Sequence, residues 1–237
     1  MTSTDEILAL AASAAAPRSA AAGTETSAEV TEADLAAFSA AAARGAGSDV
    51  VRVLRAIRPA GPMAADPAWT AWLTAAAATS AASEATGHGE GQRAGPVHPA
   101  WLAVFAAGTA LSDSVESLPS GVTVTAAVTA GMSAAAITET GLADWGGWSS
   151  GTVAAVIGAG VTAGLLLGLS EPQLRATLSI CATQAAGLAA AEATQAFALQ
   201  VGKAAFNGVE AALLARAGLT APAEPLDGRR GLFALFG

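Results

Sequence analysis

The sequence contains no tyrosine, one cysteine, one lysine and two histidines among its 237 residues. A single cysteine cannot form an internal disulfide and is typical of a reducing compartment, so we expect a cytoplasmic protein. Cys181 lies in an apolar stretch and is expected to be a core residue. Two histidines without a clear third ligand argue against a metal site. The glycines of "GAGVTAG" form no phosphate-binding loop, and we expect no cofactor.

Charge is also scarce: only 13% of the residues are charged, and the net charge is −8. Nucleic acids and anionic membranes both require a basic surface, so this balance argues against either as a partner. The N-terminal residues are acidic where a signal peptide has cations, and we expect no signal peptide.

One uncharged run, residues 145–170, is long enough to suggest a membrane-spanning helix. However, neither lysine nor arginine occurs between Arg93 and Arg175, so the run has no flanking cationic anchor. It also opens on "GGWSSG", and the apolar part that remains is short and rich in glycine. The pattern favours a buried helix in a water-soluble protein.

Helical signals follow one another along most of the chain. Thr31, Pro67, Pro99 and Ser170 are placed to begin helices, and Gly218 to end the last one. No alternation typical of strands persists anywhere. We therefore predict an all-α fold, a multi-helix bundle whose central helices are buried among others. Residues 1–30 are predicted to be a flexible or frayed N-terminal segment, and residues 31–237 a single helical domain.

Three titratable residues surround a Gly-rich loop. His98 precedes Pro99 at a helix start, where it is either a general acid or base or a helix cap, because histidine titrates near neutrality. His88, in "TGHGEG", is either its partner or a loop residue. Glu84 is either a carboxylate partner or an exposed residue of the preceding helix.

A second Gly/Ser loop carries Trp145 and Trp148. They form either an aromatic wall for an apolar or cationic ligand or a filling for a lost polar site. Ser149 and Ser150 are predicted to cap the next helix. Lys203 is either a ligand-binding residue or a surface charge.

Four segments together resemble the MmgE/PrpD family, which includes 2-methylcitrate dehydratases, cis-aconitate decarboxylases and iminodisuccinate epimerases. They are "HPAWLAV", "GLLLGLSEPQLRATLSICATQAAGL", "GKAAFNGVEAALLARAGLTAP" and "LDGRRGLF". The resemblance implies a large helical domain followed by a smaller α/β lid, usually in a homodimer. The sequence ends at "GLFALFG", where the lid would begin, so we expect the helical domain alone.

The family's motifs align only in part. Its D-x-D-D-T motif falls on residues 82–86, where Thr86 matches, Glu84 is similar and Ala82 replaces the first aspartate. The histidine of its His-Pro motif matches His98.

Two further motifs have lost their titrating residues. The histidine of G-F-H-P-T-G-T is Trp148 here. In the K-x-L-H-x-G-[RK]-A-A motif, Phe197 replaces the first lysine and Gln200 the histidine, while Lys203 is retained. Because proton abstraction beside a carboxylate needs a base and cationic groups, these replacements argue against the family's usual di- and tricarboxylate substrates.

The resemblance and the replacements together indicate a diverged lyase or isomerase acting on a small, less anionic organic substrate. Its catalytic residues would be His98 and Thr86. Its substrate-binding residues would be Glu84, His88, Trp148, Ser149, Gln200 and Lys203. The alternative is a non-catalytic binding or assembly subunit, acting alone or with a full-length relative. Either protein is expected to form a homodimer or hetero-oligomer.

Overall fold

The computed structural model describes residues 1–16, 29–57, 66–86, 98–142 and 147–235. Within these ranges the chain forms nine α-helices and no β-strand, which confirms the all-α prediction. The helices are α1 Ser3–Ala15, α2 Glu32–Gly45, α3 Asp49–Ile57, α4 Pro67–Thr86, α5 Pro99–Ser112, α6 Val124–Gly141, α7 Ser150–Leu166, α8 Glu171–Gln184 and α9 Ala196–Arg216. Short 3₁₀ turns occupy Ala189–Ala191 and Phe233–Leu235.

Several helix ends follow from local sequence. Thr31 and Asp34 form a capping box before α2, because the Asp34 N–H donates to the Thr31 hydroxyl and the Thr31 N–H to the Asp34 carboxylate. Ser170 and Gln173 form a second box before α8. Beyond the end of α9, Gly218 adopts a φ of +98°, a conformation that favours glycine. These predicted boundaries are confirmed.

Helix α7 is the centre of the bundle. Every residue from Gly151 to Leu166 is buried, and α5, α6, α8 and α9 all pack against the helix. Glycines allow these neighbours to approach closely: a methyl group added at Gly158 would lie 2.6 Å from the carbonyl oxygen of Gly131 on α6. The helical part of the uncharged run, Ser150–Leu166, is therefore a core helix. None of the helices in the described ranges has an apolar stretch of the length that a bilayer requires.

Helices α5, α7 and α9 run parallel. A methyl group added at Gly151, in the first turn of α7, would lie 3.3 Å from the His98 ring at the start of α5. Gln200, near the start of α9, is hydrogen-bonded to Thr152 of α7. Helix α6 runs the opposite way, because Glu139 in its last turn accepts a hydrogen bond from Ser150. The first turns of three helices and the last turn of α6 thus meet at one end of the bundle, called here the site end.

The N-terminal segment, predicted to be flexible or frayed, contains a helix in its described residues. Residues 3–15 form α1, which packs mainly on α6 and α8, and Ile7 is fully buried. Asp5 accepts a hydrogen bond from Arg175 of α8 at 3.1 Å. The sequence signal is weak because α1 buries few large side chains. Residues 17–28 lie outside the described ranges.

Candidate active site

His98 is the N-cap residue of α5. Its Nδ1 atom accepts a hydrogen bond from the Ala100 N–H at 3.3 Å, so in the neutral imidazole the ring proton resides on Nε2. Nε2 lies 3.1 Å from Oε2 of Glu139, in the last turn of α6. The side chains remain 47% and 34% exposed, respectively, so a small molecule can reach the pair.

The carboxylate of Glu139 changes the acidity of the histidine. Its hydrogen bond raises the pKa of His98 above the usual 6.5, against the opposing effect of partial burial. The negative charges of Glu139 and Glu192 act in the same direction as the hydrogen bond. His98 is therefore in its doubly protonated, positively charged form over more of the neutral pH range than an unperturbed histidine is.

The start of α7 holds two serines that contact carboxylates. The Ser150 hydroxyl donates to Oε1 of Glu139 at 3.2 Å, and the Ser149 hydroxyl donates to Oε1 of Glu192 at 2.7 Å. Ser149 occupies the N-cap position as predicted, but its side chain makes no cap hydrogen bond; its hydroxyl contacts the Glu192 carboxylate and the Thr152 hydroxyl instead.

Gln200 extends this hydrogen-bonding chain. Its Nε2 donates to the Thr152 hydroxyl at 3.4 Å, and the Thr152 and Ser149 hydroxyl oxygens are 2.9 Å apart. Because the Ser149 hydrogen is directed to Glu192, Thr152 must donate to Ser149. The direction of donation is therefore fixed from Gln200 through Thr152 and Ser149 to Glu192.

The same Gln200 amide holds the backbone of Leu188. Its Oε1 accepts from the Leu188 N–H at 3.1 Å, and its Nε2 donates to the Leu188 carbonyl at 3.3 Å. Leu188 pairs with Trp148 in an isolated antiparallel bridge. Gln200, predicted to bind substrate directly, thus uses its amide on the protein itself.

Lys203 and Glu84, two other predicted substrate-binding residues, lie apart from the histidine pair. The Lys203 ammonium lies 3.6 Å from the centroid of the Phe206 ring and 4.9 Å from that of Trp72 on α4. Burial lowers its pKa. Glu84 is exposed near the end of α4 and lines a cavity of about 370 Å³ with Asp49 of α3 and the start of α9. Neither His98 nor Gln200 is among its lining residues.

Other predicted residues have no described side chain. Thr86 is the last residue of α4, but its side chain lies outside the described part of the structure, and so do His88 and Trp145. Of the predicted residues, His98, Trp148, Ser149 and Gln200 share the site end.

The sequence reasoning missed Glu139 and Glu192 as site residues. Glu139 carries a signal that could have identified it: it is an acid in the last turn of a helix, where the helix dipole disfavours negative charge. Such a residue needs a hydrogen-bond donor from elsewhere, and His98 is one. For Glu192, which lies beside a 3₁₀ turn, we find no comparable sequence signal.

The part of the chain that the structure describes contains no group of three or more histidine, cysteine, aspartate or glutamate side chains that could hold a metal ion.

The family model for the MmgE/PrpD N-terminal domain matches residues 35–237, which is most of the chain. No curated protein matches the sequence of this chain.

Proposed function

The chain belongs to the MmgE/PrpD family, and we propose that it is a diverged acid–base catalyst, a lyase or isomerase acting on a small organic substrate of low negative charge. One observation carries this proposal. The side chains of His98 and Glu139 are hydrogen-bonded at 3.1 Å while both remain accessible to a small molecule.

The pair contains a proton donor and a proton acceptor side by side. The Glu139 carboxylate would accept a proton from a carbon next to a carbonyl group. His98, whose pKa is raised by Glu139, would supply a proton to the leaving group or to the carbonyl oxygen. Ser150 donates to the second carboxylate oxygen of Glu139 and would hold it in orientation.

The charges at the site end support a substrate with few carboxylates. The carboxylates of Glu139 and Glu192 raise the pKa of His98 through their negative charges. The Lys203 ammonium, in contrast, lies against the ring of Phe206 and that of Trp72 on α4. A di- or tricarboxylate would be repelled there, while a neutral or singly charged carbonyl compound would not.

The test is carbon-bound hydrogen exchange in D₂O, followed by proton NMR on a panel of small ketones, esters and carboxylic acids. We expect wild-type protein to exchange hydrogen next to the carbonyl of at least one neutral or monoanionic compound. Glu139→Gln and His98→Asn should each lose about 100-fold or more of that rate. The exposed Glu116→Gln is the matched control. Equal rates in all four proteins, or no exchange by the wild type, would refute the proposal.

A non-catalytic binding or assembly subunit is the second candidate. It is favoured by the saturation of the site, because both His98 ring nitrogens and both ends of the Gln200 amide already have protein partners. Light scattering after size-exclusion chromatography, alone and with a full-length family member, tests this candidate. A monomer that binds no such partner would count against it.

Oligomeric state and location complete the proposal. We propose a homodimer or hetero-oligomer in the cytoplasm, with Thr86 as a catalytic residue and His88 as a substrate-binding residue. The single cysteine supports the location, and the match of Thr86 to the family motif supports its role. Thr86→Val in the exchange experiment tests the latter.

A further inference from the structure

Two large apolar side chains are exposed together at the site end. Trp148 is 40% exposed and Leu188 is 58% exposed. They are directly opposite each other in the antiparallel bridge, and opposed residues in such a pair place their side chains on the same face. Trp148 and Leu188 therefore form one apolar surface, called here the Trp148–Leu188 platform.

The platform is held in place by polar contacts on both sides of the bridge. The Ser149 N–H donates to the Gly187 carbonyl at 3.1 Å, and the Ala189 N–H donates to the Gly147 carbonyl at 3.1 Å. Gln200 bonds both the N–H and the carbonyl of Leu188. These contacts keep two apolar side chains at the surface, where the hydrophobic effect alone would favour burying them.

The platform is linked through the chain to residues that contact the acid–base pair. Trp148 is followed directly by Ser149 and Ser150, and Ser150 bonds the same carboxylate that contacts His98. Trp148 is thus two residues away in the chain from a direct contact with Glu139. The carboxylates of Glu139 and Glu192 accept hydrogen bonds from the two serines that follow Trp148, and their charges disfavour a second anionic group.

We propose that the Trp148–Leu188 platform binds a hydrocarbon chain or ring of the substrate, and that Gln200 is the positioning residue that fixes Leu188 opposite Trp148. The substrate class is then a neutral carbonyl compound with an apolar substituent next to the reacting carbon. This inference rests on the proposed function for the reaction, but the binding itself can be measured without turnover.

Fluorine NMR of protein labelled with 5-fluorotryptophan measures this binding, with Trp148→Phe assigning the Trp148 resonance. The probes are 1-hexanol and hexanoate, which share a six-carbon chain and differ in charge. We expect 1-hexanol to shift the Trp148 resonance saturably and hexanoate to bind about ten-fold more weakly. Leu188→Asp should weaken 1-hexanol binding about ten-fold, while Leu235→Asp, at another exposed leucine, should not change it.

Gln200→Met, which keeps the side-chain length, tests the positioning role. We expect its affinity for 1-hexanol to fall towards that of Leu188→Asp, with an unchanged helical circular dichroism signal. Lower stability at an unchanged affinity for 1-hexanol would show a purely structural role and overturn the assignment of Gln200.

Three outcomes overturn the platform itself. They are no saturable shift with 1-hexanol, equal binding of hexanoate, and unchanged binding by Leu188→Asp. A doubled mass in light scattering, together with a Trp148 resonance insensitive to 1-hexanol, would assign the surface to a second copy of the chain instead. Saturable 1-hexanol binding without carbon-bound hydrogen exchange would retain the platform and refute only the proposed reaction.

Discussion

The contact between Nε2 of His98 and Oε2 of Glu139, at 3.1 Å, joins the start of α5 to the last turn of α6. When His98 is protonated, each charge lies at the helix end that disfavours it, since a helix N-terminus repels a cation and a C-terminus repels an anion. Together the two charges offset these unfavourable positions. Removing either residue leaves the other in an unfavourable field.

The first prediction concerns the pKa of His98. In wild-type protein it should exceed 6.5, and Glu139→Gln should lower it, because partial burial is then opposed only by the charge of Glu192. Titration of the two histidine ring signals by NMR measures this, with His98→Asn providing the assignment. Glu116→Gln should leave the titration unchanged. An equal pKa in wild type and Glu139→Gln would contradict the described contact.

A second prediction follows for stability against pH. Because the folded-state pKa of His98 is raised, the histidine contributes stability that is fully present below its unfolded pKa and is lost as pH rises through the folded pKa. Urea unfolding of wild type and His98→Asn from about pH 5.5 to about pH 9 tests this prediction. The difference between their midpoints should shrink as pH increases. A difference that grows with pH would have the wrong sign.

A third prediction tests the docking of α1. Ile7→Ala should cost about 2–4 kcal/mol of unfolding free energy, because it removes buried methylene groups and leaves a cavity. Ile57→Ala, at an exposed isoleucine, should change it by less than about 0.5 kcal/mol. Chemical denaturation followed by circular dichroism measures both. Equal small effects would mean that α1 is frayed in solution.

The fourth prediction tests the close crossing of α6 and α7. Gly158→Ala should destabilise the protein by about 1–3 kcal/mol, since its methyl group would lie 2.6 Å from the rigid Gly131 carbonyl oxygen. Gly47→Ala is the matched control, because nothing lies within 4 Å of its added methyl group. Denaturation midpoints compare the two. A neutral Gly158→Ala would show that the helices can separate at no cost.

Local features of the fold could be predicted from the sequence, and long-range ones could not. Some helix ends depend only on residues a few positions apart, so their patterns can be recognised in the sequence. These are the capping boxes at Thr31 and Ser170 and the glycine after α9. The packing of α1 was missed because it depends on α6 and α8, which lie more than one hundred residues away.

The candidate site likewise contains residues that could be predicted from local motifs and residues that could not. The family motifs drew attention to His98, Trp148 and Gln200, which all lie at the site end. Glu139 was missed because its role depends on α6 running antiparallel to α7, which no local pattern specifies. Lys203 follows Gln200 by three residues, about one turn further along α9, and its ammonium lies against the rings of Phe206 and of Trp72 on α4.

The parallel arrangement of α5, α7 and α9 determines when the site can form during protein synthesis. Gln200 follows His98 by 102 residues, and the intervening chain must reverse direction through α6 and α8 before their ends can meet. During synthesis, His98 and Glu139 are made well before Gln200, which fixes Leu188 beside them. We therefore expect a nascent or proteolytically shortened chain that lacks Gln200 to form helices without a complete site. Ligand binding then distinguishes the fully folded chain from such partial chains.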